Sequence, residues 1–284
     1  EISAFGHDVR LIPAQYVKPF VKRGKTDAAD AEAISEAVTR KTMRFVPIKS
    51  AEQQASVMVF RARALLVRQR TQAINALRAH MGELGIVATV GIANVKPLAT
   101  IVRDESDPRL PPAARFALEE IVDQIDRLAV RIEKLEREMI AVAKQDEDMR
   151  RLATIPGVGA ITAMAVKAFI PDPAGFKSAR HFAAWIGLTP KSHSTGGKQR
   201  LGRISKMGNS QLRSLLVVGA ASTLRHVRSD DKARPWLREL LARRPFKVVS
   251  VALANKTARM IWALLTRGGI YRGPTRLQAG SIPA

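Results

Sequence analysis

Leu118, Ile121, Ile125, Leu128, Ile132, Leu135, Met139 and Val142 recur at alternating spacings of three and four, with charged residues between them. Only a helix keeps such positions on one face, so the segment must be a long helix whose heptad stripe needs a partner. Two partners satisfy it. One is a second copy of the chain, giving a coiled coil. The other is the helical pattern over residues 51–84, where Val57, Met58, Leu65, Leu66, Ile74, Leu77, Met81 and Leu84 form a drifting apolar stripe. Arg61, Arg63, Arg68, Arg70 and Arg78 fall on other faces of that helix. They suit either a solvated face or contact with a nucleic-acid backbone. Residues 85–112 carry Gly85, Gly91, Pro97, Pro108, Pro111 and Pro112, the signature of a linker with one short helix.

Upstream, Asp8-Val9-Arg10-Leu11-Ile12 alternates polar and apolar before Pro13, a short-strand pattern. Thr26 is an N-cap candidate for a helix that opens Asp27-Ala28-Ala29-Asp30. Three residues apart, Asp27 and Asp30 share a helical face. They could hold a hard cation such as Mg²⁺, or simply complement the helix dipole. Downstream, Ile155-Pro156-Gly157-Val158-Gly159 ahead of an alanine-rich helix looks like a helix-hairpin-helix turn. The backbone N–H groups at Gly157 and Gly159 then suit a DNA phosphate, although such turns also serve packing alone. Further helices are expected over Arg180–Leu188 with Trp185 in the core, over Asn209–Leu224 with Leu212, Leu215, Leu216 and Val218 facing in, and over Lys247–Thr266. Beyond Gly268-Gly269 a disordered tail is expected.

Composition narrows the partner. The 284 residues hold 47 Lys+Arg against 25 Asp+Glu, a formal net charge of +22, which points to a polyanion, nucleic acid before membrane surface. With 46% hydrophobic residues a sizeable core can form, and without cysteine there is neither a disulfide framework nor thiolate chemistry. No signal peptide and no uninterrupted apolar run near 20 residues stands out, so no membrane association is expected, and the expected location is the cytoplasm.

The basic charge concentrates in one glycine-rich stretch, Pro190 to Asn209. Lys191, Lys198, Arg200, Arg203 and Lys206 surround Ser192, Ser194 and Thr195, which lie just before Gly196-Gly197. Glycine lets backbone approach a ligand closely, and cations beside exposed N–H groups suit phosphate. From residue type alone the stretch is a phosphate-binding loop, a plain turn, or the seat of a serine nucleophile that still needs activation. Arg213, Arg225 and Arg228 on the following helix are further candidates for phosphate contact.

The run His193-Ser194-Thr195-Gly196-Gly197-Lys198, then Leu201-Gly202-Arg203-Ile204-Ser205-Lys206, Gly208-Asn209 and Leu212-Arg213-Ser214-Leu215-Leu216, resembles the C-terminal domain of the DEDD insertion-sequence transposases related to the Piv and MooV invertases, the "IS one-ten" type. Gly24-Lys25-Thr26-Asp27-Ala28-Ala29-Asp30-Ala31 resembles the end of that family's RuvC-like domain, and Ile155–Gly159 the start of its C-terminal domain. The resemblance implies a mostly α chain, α+β overall, in four parts. These are a truncated RuvC-like remnant (1–90), a linker and coiled-coil helix (91–149), a helical serine domain with a helix-hairpin-helix-like element (150–270) and a tail (271–284). It implies a DNA transposase or recombinase with Ser194 as nucleophile and Ser192 or Thr195 as less favoured bearers of that role. Asp27 and Asp30 would be two of four carboxylates holding Mg²⁺. Lys191, Lys198, Arg200, Arg203, Lys206 and Arg213, with Gly157 and Gly159, would contact nucleic acid. Partners implied are DNA, a structured guide RNA and further copies of the chain as a dimer or tetramer. Since the family's other two carboxylates find no match and the chain opens at Glu1, an N-terminally truncated, inactive product is expected. Two alternatives stand beside this: a non-catalytic DNA- or RNA-binding remnant, and a RuvC-like junction nuclease.

Overall fold

The structure is a computed structural model, and it describes residues 2–22, 24, 26–227 and 235–273. Lys25, Arg228 and the tail from 274 onward lie outside the described residues.

The N-terminal packet is small. Helix α1 (Ala14–Val17) and helix α2 (Asp27–Thr39) bury only Val17, Ala33 and Ala37, with Phe20, Val21 and Met43 packed around them. Thr26 caps α2 as expected, its Oγ1 accepting from Ala29 N–H at 3.2 Å. The strand expected over Asp8–Ile12 does not form. Leu11 makes a single bridge to Val46, because no second strand lies beside it to extend the ladder.

Helix α3 (Ala51–Glu83) begins with a capping box. Ser50 Oγ accepts from Gln53 N–H, and Gln53 Oε1 accepts from Ser50 N–H. It packs antiparallel on helix α5 (Pro112–Gln145), with helix α4 (Val95–Arg103) covering the far end. Leu77 and Met81 of α3 meet Leu118, Val122 and Ile125 of α5 and Val95, Leu98 and Val102 of α4 in one cluster. At the other end Val57 and Phe60 share a core with Met139 and Ala143. The heptad stripe is thus satisfied within the chain. Val142 of the stripe is exposed while Ala143 is buried, since a straight helix of 3.6 residues per turn drifts off a strict seven-residue repeat. Met58 and Leu65 of the α3 stripe are exposed as well. The segment before α5 is a packed cap rather than a bare linker. Arg115 fixes it by donating to the carbonyls of Ile101, Val102 and Asp107.

The C-terminal half is one helical body. Helix α6 (Glu147–Ala153) leads through the Ile155–Gly159 turn to helix α7 (Ala160–Phe169), then helix α8 (Ala179–Trp185), an antiparallel pair of strands β1 (Pro190–Ser192) and β2 (Leu201–Ile204), and helices α9 (Ser210–Val227), α10 (Pro235–Arg243) and α11 (Phe246–Arg267). Leu152, Ile155, Phe182, Ile186, Leu212, Leu216, Leu224, Val249 and Ile261 are buried in its core. Each such side chain contributes about 1.5–3 kcal/mol by leaving water. Val218, expected to face in, is 64% exposed, and Trp185 lies half out with its ring against Phe176 and Phe182. Helix α11 has 22 residues and a mean hydropathy of 1.3, enough by length and composition to cross a membrane. Here it buries Leu253, Ala254, Ala258 and Ile261 in the shared core instead.

Asp146 and Lys167 brace the junction of α5, α6 and α7. The Lys167 ammonium lies 2.6 Å from Asp146 Oδ2 and 3.1 Å from Asp148 Oδ2. Burial pushes the Asp146 carboxyl up, but the bonds from Lys167 and from Met149 N–H outweigh it and the net shift is down. Burial likewise pulls Lys167 down, and the two carboxylates overcome it to leave its pKa raised.

Candidate functional site

The glycine-rich stretch forms a protruding β-hairpin, an element the sequence reading treats only as a loop or turn. Thr195 bridges Lys198 across Gly196-Gly197, whose φ values of +54° and +74° are those of a two-residue type I′ turn. His193 N–H donates to Arg200 O at 2.7 Å, Ser192 pairs with Leu201, and an irregularity shifts the register before Pro190 meets Ile204. Side chains alternate between faces along such a strand, so Ser192 and Ser194 share one face and His193 takes the other. The contacts agree. Ser192 Oγ and Ser194 Oγ lie 2.9 Å apart, Ser194 Oγ accepts from Arg200 N–H at 3.3 Å, and the His193 ring stands over Gly202. A Cβ at Gly202 would lie 2.9 Å from that ring. No hydrogen bond joins the His193 and Ser194 side chains among the described residues.

Lys191, Ser194, Lys198, Arg200, Arg203 and Lys206 are all exposed. Among the described residues no carboxylate forms an ion pair with any of these cations. They therefore present undiminished positive charge around one oriented hydroxyl, which suits a polyanion. Ser192 and Thr195 are equally exposed, and only Ser194 receives a backbone N–H bond from the opposite strand.

The hairpin's root is packed hard. Gly208, at φ +71°, leaves no room for a Cβ against Trp185 O, and a Cβ on Gly187 would lie 2.5 Å from Met207 N. Lys206 itself sits at φ +56°, a left-handed conformation costly for a residue with a side chain, and its N–H donates to Gly187 O at 3.1 Å. Asn255 of α11 donates to Leu188 O at 3.1 Å. Arg213 Nη1 donates to Ile186 O and Met207 O, both at 2.8 Å, so this group clamps the ends of the hairpin legs. Arg225 is exposed on α9.

The Ile155–Gly159 turn divides its two glycines between two jobs. Gly157, at φ +86°, is pressed against α9: an added Cβ would lie 2.6 Å from Gly219 O and 2.7 Å from Thr223 Oγ1. Packing accounts for Gly157, whereas Gly159 is exposed at the start of α7 with open space around it. Two of the α3 arginines are likewise occupied. Arg63 pairs with Glu136 of α5, its Nε donating at 2.8 Å, and Arg78 donates to Thr89 O and Gly91 O. Arg61 and Arg68 remain exposed.

Asp27 and Asp30 lie on the first turn of α2, on the small N-terminal packet, Asp27 exposed and Asp30 exposed. Carboxylate oxygens are the donor type Mg²⁺ takes, but that ion wants octahedral coordination, and no group of three His, Cys, Asp or Glu side chains forms a metal site among the described residues. The pair offers the right chemistry and an incomplete shell. No hydrogen bond, ion pair or shared core residue joins α2 to the hairpin among the described residues.

Comparison with known proteins bears on both halves of the chain. Residues 149–241 match the family described as "Transposase IS116/IS110/IS902 family", and residues 3–86 match the DEDD transposase domain of the IS110 type. A Sinorhizobium fredii protein, y4pF/y4sB, assigned as a transposase, is 50% identical over 275 residues, 95% of this chain and 70% of its own length. The transposase for insertion sequence element IS1111A of Coxiella burnetii is 41% identical over 94% of this chain and 74% of its own. That for element IS1328 of Yersinia enterocolitica is 40% identical over 95% of this chain and 80% of its own. Two family domains in order, and relatives matched along nearly the whole chain, identify it: the chain belongs to the IS110/IS116/IS902 family of insertion-sequence transposases.

Proposed function

We propose that the β1–β2 hairpin is the strand-transfer element of this transposase, with Ser194 as the nucleophile toward a DNA phosphodiester. The observation that carries the reading is the hydroxyl itself. Ser194 Oγ is exposed, held by Ser192 Oγ and Arg200 N–H, on a stretch that carries five exposed cations without acidic partners among the described residues. Attack by Oγ on phosphorus, with the hydroxyl proton lost to solvent, forms a phosphoserine ester and breaks the bond from phosphorus to a DNA 3′- or 5′-oxygen, which takes up a proton from solvent. A second DNA end attacking the same phosphorus then regenerates the serine. Lys198, Arg200 and Arg203 neutralise the phosphate oxygens in both steps, an electrostatic contribution available wherever charge grows on phosphorus.

Asp27 and Asp30 are assigned as two of the carboxylates for Mg²⁺, and α2 as the end of a RuvC-like domain. When bound, the cation neutralises charge on the phosphodiester and orients it. The remaining ligands, a guide RNA and further copies of the chain belong to the same reading.

The reading separates binding from chemistry. Replacing Lys198 and Arg203 by Gln should weaken DNA binding and reduce the slope of log affinity against log salt by about 0.9 for each phosphate left without its cation. Ser194→Ala and Asp27→Asn should leave affinity and slope unchanged while abolishing recombination of the element in cells. A Lys198→Gln, Arg203→Gln protein with the wild-type salt slope contradicts the hairpin as the phosphate surface. Recombination at the normal rate by Asp27→Asn contradicts the metal assignment.

A further inference from the structure

A second site lies elsewhere on the C-terminal body, lined by none of the hairpin's residues. A cavity of about 330 Å³ opens between the Ile155–Gly159 turn, the start of α10, α11 and the extended segment after it. Pro156, Trp236, Leu253, Lys256, Met260 and Tyr271 are among its lining residues. Its size falls within the range of small-ligand sites. Its walls are two aromatic rings, a thioether and aliphatic carbon, and Trp236 is 38% exposed. Lys256 is exposed, and its ammonium stands 4.5 Å above the Trp236 ring centroid. The segment Pro235 to Gly273 is strongly basic, with Glu239 as its one acidic residue. Thr154 Oγ1 accepts from Tyr271 N–H at 3.0 Å, which fixes the aromatic wall to the turn below it.

The occupant must therefore be flat and apolar at one end and anionic at the other. A nucleobase with its phosphate has that shape. Aromatic platforms beside cations are the recurring means by which proteins hold an unstacked base. We infer that this cavity receives one nucleotide unstacked from a DNA strand, its base against Trp236 and Tyr271 and its phosphate at Lys256. The site shares no residue with the hairpin and stands whether or not Ser194 is the nucleophile. It rests on the family assignment only for its choice of DNA.

The test uses two fluorescent strands of equal length and charge, an oligothymidylate and an abasic strand, with the full chain. Trp236→Ala should weaken oligothymidylate binding by about tenfold, the scale of one base stack, and leave the abasic strand within about twofold of wild type. Trp236→Phe should recover most of that affinity. A 2-aminopurine in the strand should lose emission on binding wild-type protein, a readout that does not depend on the variants folding. Equal weakening of both strands by Trp236→Ala, an unquenched 2-aminopurine, or the same preference for base shown only by an oligouridylate RNA strand would each overturn the proposal. So would an absence of base preference in the wild type.

Discussion

At the tip of the hairpin a Cβ on Gly196 or Gly197 would meet nothing within 4 Å, while at its root Gly187 and Gly208 are wedged against Met207 and Trp185. All four have positive φ. Glycine at the tip serves only the turn, and glycine at the root serves both the turn and the close approach of two backbones. A closely packed base with an open tip suits the proposed presentation of the Ser194 hydroxyl to DNA. Because root and hydroxyl are separated along the strands, stability and DNA contact should respond to different residues.

The largest expected effect follows from the root. Gly208→Ala should lower unfolding free energy by roughly 3 kcal/mol, combining overlap with Trp185 O and strain at φ +71°. Gly197→Ala should cost only about 1 kcal/mol, from the left-handed backbone alone. Denaturant unfolding of the two variants checks the contrast, and equal destabilisation would break it.

Arg213 sharpens the same division. Arg213→Ala removes the donor to Ile186 O and Met207 O and should cost about 2 kcal/mol, with the salt slope of DNA binding unchanged. If Arg213 held phosphate instead, the slope would fall by about 0.9 and stability would barely move.

Smaller still is the brace at the α5–α7 junction. The folded Asp146 carboxyl titrates below its ordinary range, so its stabilisation is complete above the unfolded pKa and is lost as pH falls through the folded one. Lys167 is raised, so its share is lost only as pH rises through a value above the ordinary lysine range. Asp146→Asn should therefore destabilise at neutral pH, and its deficit against wild type should vanish in acid. Acid and neutral melting curves decide it, and a deficit that grows toward low pH would contradict the assignment.

Much of the helical fold is readable from periodicity, because a stripe at Leu118 to Met139 has few conformations that bury it. The Thr26 cap and helix α11 are equally legible. What the pattern cannot fix is the partner of the stripe, since intrachain and interchain packing bury the same face. The hairpin carries a usable signal, Gly-Gly between short segments with Ser, Thr and Lys, yet its exposed strands show no apolar alternation to mark them. Cations are the least legible feature. Arg213, Arg63 and Arg78 look like Arg200 or Arg61 in sequence, and only their carbonyl and carboxylate partners show that the fold occupies them. Gly157 is the same case for backbone, matching the expected turn while packing against Gly219.

The central claim is that Ser194 becomes bonded to DNA, and a denaturing gel reads it directly. Labelled element-end DNA is incubated with the protein and Mg²⁺, with and without RNA transcribed from the element, then denatured and separated. The account predicts a slow band that carries both label and protein, vanishes on protease treatment, and is absent in Ser194→Ala although native DNA binding is unchanged. A slow band that persists in Ser194→Ala would contradict it, and so would DNA cut by the wild-type protein with no protein attached.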